Sequence, residues 1–395
     1  MEVAITKKKE LEIYIHIPFC VRKCAYCDFL SGPAAPEEQK AYVQALIKEI
    51  RAAACYRSRY EVTTIFFGGG TPSLLAGEQL DEIMRTIKES FPIREDAEIT
   101  MEMNPGTANR EKLKAYRQAG INRLSIGLQS ANNQELKILG RIHTFETFLE
   151  TYQMAREEGF DNINVDLMSA LPGQTETSYE ETVQKVLTLA PEHISSYSLI
   201  IEEGTPFFEW YGKGETGNMP ELPDEDTERC MYRRTKELLE EAGYYRYEVS
   251  NYALPGKECR HNIGYWERKD YLGFGIGAAS LIEETRFSNV RDRSVYVQAL
   301  EQYEGEEVFA AIRTEKEVLS KEDQMSETMI LGLRMMKGIA KDEFHKRFGK
   351  AMDEVYGDVL KKYIDWNLLE LTQDNRVRFT EQGISVSNIV LADFL

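Results

Sequence analysis

The 395-residue chain has no apolar run long enough to cross a bilayer. Its first stretch, MEVAITKKKELEIYIHIP, carries lysines but no apolar segment followed by a small-residue cleavage site, so it does not read as a secretory leader. A soluble, cytoplasmic protein without an integral membrane segment is expected, with peripheral association left open. An excess of basic residues is also missing, because 48 Lys and Arg stand against 66 Asp and Glu, a formal charge of −18. Such a surface repels polyanions, so nucleic acid is not an expected partner. Cysteine is scarce at six residues and histidine scarcer at five. Three of the six thiols crowd together, which is not the evenly spread framework of a secreted disulfide scaffold. A reducing compartment would leave them free to bind metal.

What the sequence does contain is alternation. Strand-like apolar runs lie at Ile13–Ile17, up to Phe67, up to Met103, and at Leu124–Leu128, Ile163–Met168 and Ile194–Ile201. Segments with helical spacing separate them, such as EEQKAYVQALIKEIRAAA, GEQLDEIMRTIKES, REKLKAYRQAG and SYEETVQKVLTLA. The repeated strand–helix pattern predicts a parallel α/β sheet closed into a full or partial barrel over residues 1–210. Residues 211–313 read as a lid or connecting region, opened by the loop WYGKGETGNMPELPDED, for which a plain surface insertion is the simpler reading than a gate. Residues 314–395 read as a mainly helical, winged-helix-like domain ending in the hairpin LLELTQDNRVRFT. Winged helices often bind DNA, but Lys341–Leu395 holds 8 Lys/Arg against 10 Asp/Glu and no basic stripe, which favours a structural or protein-docking role.

The crowded thiols are Cys20, Cys24 and Cys27, a CxxxCxxC spacing directly after the first strand. Four thiolates would close a zinc or iron–sulfur site. Three on one loop hold three corners of a cluster and leave one metal open, as chemistry at a metal requires, which favours iron–sulfur over zinc or free buried thiols. Cys55 and Cys230 lie in helical segments and read as small core residues. This spacing after the first strand of an α/β chain, with Tyr26 before the third cysteine, resembles the radical S-adenosylmethionine (SAM) superfamily. The resemblance implies a partial (β/α)6-type radical SAM barrel with additional strands. It also implies a [4Fe–4S] cluster whose open iron is chelated by SAM, and an electron donor.

The other strand ends extend the pattern. Gly68-Gly69-Gly70-Thr71-Pro72 lets the backbone approach a ligand closely, Glu102 sits in an ExNPG turn, and Arg141 could meet a carboxylate with two parallel hydrogen bonds. Asp166 lies within an apolar run, where an unpaired carboxylate would be costly. Together with Gln129, Tyr197 and the LPGQT turn, these stretches are similar to the coproporphyrinogen-dehydrogenase-like branch of the superfamily, over almost the full length. By that resemblance Tyr14, Gly69, Glu102 and Ala279 touch the SAM on the cluster. Tyr26, Gly70, Thr71, Gln129, Arg141, Asp166 and Ile200 match a second SAM site in the dehydrogenase.

The dehydrogenase pattern continues with a further cysteine two places after the third, where this chain has Phe29. The stretch Arg260-His261-Asn262-Ile263-Gly264-Tyr265-Trp266 resembles the HNxxYW signature of the haem-chaperone subgroup. That resemblance implies haem as cargo and apo-haemoproteins as recipients. His261 has the chemistry of an axial haem ligand, and equally that of a hydrogen-bonded structural residue; Cys259 is an alternative sulfur ligand. His16 is expected to face the cluster unless it is a satisfied core histidine, and His143 and His193 read as structural. Haem carriage is the leading expectation, with oxidative decarboxylation of coproporphyrinogen III, or radical chemistry on another substrate, as the alternative.

Overall fold

A computed structural model describes residues 8–213 and 217–395. Residues 1–7, where the leader reading falls, and 214–216, within the Gly/Pro/acid-rich loop, lie outside the described residues.

Six strands, β1 (Lys9–Ile17), β2 (Tyr60–Gly69), β3 (Ile93–Met103), β4 (Arg123–Gln129), β5 (Ile163–Ser169) and β6 (His193–Ser198), pair in parallel in chain order. Every residue of β4 is buried, as strands covered on both faces require. Amphipathic helices cover the outside. One of them, Arg110–Ala119, starts where the Asn109 side chain accepts the Lys112 N–H at 2.9 Å and stops at Gly120, whose φ of 114° suits only glycine. β6 ends at Ser198, short of the run to Ile201 read from sequence, so Leu199 to Ile201 leave the sheet.

The barrel is partial because both edges are extended. Beyond β6 lie β7 (Tyr245–Arg246) and β8 (Asn251–Ala253), antiparallel; beyond β1 lie β9 (Tyr271–Phe274), β10 (Ala279–Ile282), β11 (Thr285–Asn289) and β12 (Arg313–Val318). The result is a 12-stranded sheet in the order β12-β11-β10-β9-β1-β2-β3-β4-β5-β6-β8-β7.

The HNIGYW stretch is a short helix, Arg260–Trp266, which packs as a plug against mid-strand residues of β1, β2 and β3. Glu98 of β3 accepts the N–H groups of Arg260 and His261 at 3.0 and 3.2 Å. The His261 ring stacks on Phe66 of β2, with centroids 5.1 Å apart. Gly264 rests against Glu12 of β1, so that a Cβ there would overlap the carboxyl group. Neither Glu12 oxygen has a partner among the described residues, and burial pushes this acid well above its ordinary range.

The C-terminal unit runs helix Lys321–Gly332, β13 (Ile339–Ala340), helices Lys341–Phe348 and Met352–Asp365, then β14 (Leu369–Leu371) and β15 (Arg376–Phe379), in the order of a winged helix. Its own core includes Met329, Leu333, Phe344, Leu360, Val377 and Phe394. The stretch from Thr314 that read as its start belongs to β12 in the large sheet, and the first helix begins at the Ser320 cap. Cys55 is exposed on a helical turn and Cys230 is half-buried on helix Glu225–Glu241, so neither is the core residue expected.

Gly264→Ala should cost about 1–3 kcal/mol in urea unfolding, with most of it recovered in the double variant with Glu12→Ala. A neutral Gly264→Ala would contradict this packing.

Candidate functional site

β1 delivers the chain to the C-terminal end of the barrel, where Pro18 to Gly32 fold back as a loop. Cys20 N–H donates to Gly32 O and Gly32 N–H to Pro18 O, both at 3.0 Å, closing its neck. Ala25 N–H donates to Leu139 O at 3.1 Å, Phe207 N–H to Ala25 O at 3.0 Å, and the Arg22 guanidinium to Gly140 O at 2.6 Å. The loop is therefore tied down from two sides. Cys20, Cys24 and Cys27 are free thiols and line one cavity of about 550 Å³. Among the described residues no three His, Cys, Asp or Glu side chains converge on the point a single ion would occupy. A cubane cluster is bound through separate irons, so its ligands need not converge.

The glycine run packs against this loop. Gly69 has φ 110°, and a Cβ on Gly70 would come within 2.7 Å of Phe19 O and 3.0 Å of Cys20 Sγ. Thr71 Oγ1 donates to Cys20 Sγ at 3.5 Å and accepts from Asn104 Nδ2 at 2.8 Å. Asn104 also accepts from Arg141 at 2.8 Å, which makes it the hub between two predicted site residues. It lies just beyond β3, two residues after Glu102, where the sequence reads only as a turn before Pro-Gly.

Arg141 spends its other bonds on Gly127 O at 2.6 Å and on Cys24 Sγ at 3.7 Å, while its Nε is buried without a partner. Among the described residues, then, no carboxylate meets Arg141 with a pair of parallel bonds. Glu102 accepts the Gly69 N–H at 3.2 Å; burial, and then the Asp166 charge, push its carboxyl up to about 8. Asp166 accepts from Asn164 at 2.7 Å and Ser125 at 3.2 Å, and burial still raises its carboxyl. Gln129 adopts φ 71° at the end of β4 and accepts from Tyr197 at 3.2 Å. Tyr26 lines the same cavity, and Ile200 stands on its rim, 68% exposed.

Tyr14, Gly69 and Glu102 form the wall shared with a second cavity of about 660 Å³, which Ala279 lines without reaching the thiols. His16 lines this second cavity, away from the thiols, so of its two readings the satisfied core histidine is the one observed. Its nitrogens are hydrogen-bonded to Tyr14 Oη at 3.1 Å and Leu30 O at 2.9 Å. His261 is 1% exposed, and both nitrogens are engaged, by Thr64 at 2.7 Å and Tyr265 at 3.1 Å. It therefore offers no free nitrogen to a haem in this conformation. Cys259 is likewise buried, its thiol pushed up to about 12. His143 and His193 are bonded to Leu128 O and to Asn164 and Tyr247, as structural residues.

The residues fit the expected cofactors. Three thiols share one cavity, Gly70 lets the backbone pack directly against Cys20 where a side chain would collide, and Glu102 and Arg141 line the same cavity. Fold and site define a radical SAM protein. The radical SAM superfamily profile matches residues 14–186, and the HemN C-terminal domain profile residues 319–386. Membership implies a [4Fe–4S] cluster and SAM. The chain is 35% identical to the heme chaperone HemW of Lactococcus lactis, over 98% of each chain. It is 36% identical to that of Bacillus subtilis, over 97% of this chain and 98% of the relative. The solved radical SAM coproporphyrinogen III oxidase HemN of Escherichia coli has the same fold, with TM-score 0.82 over 98% of this chain and 90% of that one at 23% identity. The chain belongs to the HemW heme chaperone family.

Between the ordinary carboxyl value of 4.5 and about 8, the folded chain keeps a proton on Glu102 that the unfolded chain has lost. The stability contributed by this group therefore falls as pH rises through that window and is level above it. In urea unfolding, Glu102→Gln should flatten that part of the pH profile; an unchanged slope would contradict the shift.

Proposed function

We propose that this chain carries haem to apo-haemoproteins on a scaffold that retains its iron–sulfur and SAM sites. The full-length similarity to heme chaperones carries the reading. The HNIGYW helix supports it, being built into the barrel through Glu98, Thr64 and Glu12, and so does Phe29, 59% exposed where the dehydrogenase pattern has a cysteine.

In this reading Cys20, Cys24 and Cys27 hold three corners of the cluster. Tyr14, Gly69, Glu102 and Ala279 contact the SAM on the open corner, and Tyr26, Gly70, Thr71, Gln129, Arg141, Asp166 and Ile200 line the neighbouring SAM-type site. When bound, the cluster and SAM supply one-electron cleavage chemistry. The protein's part is to orient them: the tied loop fixes the thiols, Gly70 admits them next to the backbone, and Arg141 is held at the cavity wall by Asn104 and Gly127. His261 would hold the haem iron through Nε2, the nitrogen that Tyr265 engages in this structure. The 660 Å³ cavity is walled by Tyr265, Tyr271, Leu281 and Leu331, and His261 itself lines the 550 Å³ cavity on the other side of Tyr265, which borders both.

Haem added to the anaerobically reconstituted protein should give a saturable Soret shift, and an apo-haemoprotein added afterwards should take up the haem. Absence of a saturable change would overturn the reading. Formation of protoporphyrinogen IX from coproporphyrinogen III, with SAM and a reductant, would establish the dehydrogenase instead.

A further inference from the structure

The helix Asn133–Ile138 has six residues, too few to keep their shape without contacts to the rest of the fold. Yet the chain just past it grips the cysteine loop: Leu139 O accepts the Ala25 N–H at 3.1 Å, and Gly140 O accepts from the Arg22 guanidinium at 2.6 Å. A Cβ on Gly140 would stand 3.4 Å from the Ala25 nitrogen. The next residue is Arg141, whose backbone N–H donates to Leu136 O at 2.9 Å and whose guanidinium reaches Cys24 Sγ at 3.7 Å. Whatever fixes this helix therefore fixes the middle of the loop.

Within the helix, Glu135 is 4% exposed, and its partners are neutral donors from three separate segments. Ser130 Oγ, just past β4, donates to Oε2 at 2.6 Å; Gln174 Nε2 of the LPGQT turn donates to the same oxygen at 2.9 Å. Ser178 Oγ, in the first turn of helix Glu176–Leu187, donates to Oε1 at 2.8 Å. A buried carboxylate is costly unless donors surround it in this way. The LPGQT turn is closed by the same group of residues, because Gln174 Oε1 accepts the Leu171 N–H at 3.2 Å. Leu171 in turn packs with Leu139 and Phe207 in an apolar cluster against which Ala25 and Tyr26 lean. No residue of that turn lines either cavity, so its contribution to the site runs through Glu135 and this cluster.

We propose that Glu135 is the positioning residue of the cysteine loop: by joining Ser130, Gln174 and Ser178 it holds the helix end that grips Ala25 and Arg22, and so sets Cys24 relative to Cys20 and Cys27. A carboxylate suits the task because it accepts from every side and donates nothing. Glutamine in its place keeps an oxygen for Ser130 and Gln174 and turns its amide toward Ser178, whose hydroxyl can rotate to accept. Alanine leaves three donors without their acceptor and frees the helix to move. The role matters for function through the reading of the three thiols as cluster ligands, but the hold on the loop is tested first without a cluster.

Hydrogen–deuterium exchange of the full chain without metal, read by mass spectrometry, follows the loop through the Ala25 N–H. Glu135→Ala should speed exchange in residues 20–30 about tenfold, and Glu135→Gln should stay within about twofold of wild type. The control is Glu192→Ala, at the opposite end of the barrel, where Glu192 accepts from Arg156 and from the Ile163 N–H at 2.9 Å each. It should leave residues 20–30 as in wild type. After anaerobic reconstitution Glu135→Ala should hold less than about half the iron of wild type, and Glu135→Gln should match wild type. Unchanged exchange in Glu135→Ala, or an equal rise in Glu192→Ala, would overturn the proposal. Should Glu135→Ala fail to fold, Ser130→Ala and Gln174→Ala each remove one donor and should raise exchange in the same residues to a smaller extent; no rise in either would overturn it too. A wild type that takes up no iron would contradict the cluster reading instead, and the exchange comparison would still decide whether Glu135 holds the loop.

Discussion

Two hydrogen bonds across the open end of the barrel, Ala25 N–H to Leu139 O and Phe207 N–H to Ala25 O, clamp the cysteine loop between the end of the short helix Asn133–Ile138 and the segment after β6. Because the loop is tied at its middle and closed at its neck, Cys20 can lie against the Gly70 backbone without a side chain intervening. The glycine run, the Thr71–Asn104–Arg141 chain and the raised carboxyl of Glu102 are arranged around that fixed loop. Residues from β2, β3 and β4 reach one cavity only because parallel strands deliver their C-terminal ends to the same side.

The barrel interior imposes the second constraint. Parallel barrels usually fill their centres with apolar layers. Here the inward positions carry Arg123, Ser125, Asn164, Asp166 and Ser195, which keeps the upper interior open and polar. Such an interior has to be sealed part-way along the strands. The HNIGYW helix does this with polar side chains that are themselves bonded, His261 to Thr64 and Tyr265, and with a glycine thin enough to pass Glu12. A sequence signature that suggests a ligand thus has a structural task in the resting molecule.

The six central strands were legible because each is a long apolar run, and the cysteine spacing is a local pattern that needs no tertiary information. The flanking strands were harder. β7, β8 and β13 are two or three residues long and too short to show alternation. Arg313–Val318 is exposed along most of its length, so its strand character comes from pairing with β11, not from its composition. Asn104 was missed because an asparagine before Pro-Gly reads as turn chemistry, and only the fold shows its side chain joining Thr71 to Arg141. His16 and His261 carry the right chemistry for ligands, yet both rings are buried and both nitrogens of each are occupied, in His16 by the Tyr14 hydroxyl and the Leu30 carbonyl and in His261 by the Thr64 and Tyr265 hydroxyls, which no spacing reveals.

The central claim is that three thiols on a clamped loop bind a cluster with one open iron beside a SAM site. Anaerobic reconstitution with ferrous iron and sulfide, followed by EPR of the reduced protein with and without SAM, tests it most directly. The account predicts a reduced [4Fe–4S] signal that shifts when SAM is added and is absent when Cys20, Cys24 and Cys27 are replaced by alanine. A chain that takes up zinc but no iron, or a cluster signal indifferent to SAM, would contradict it.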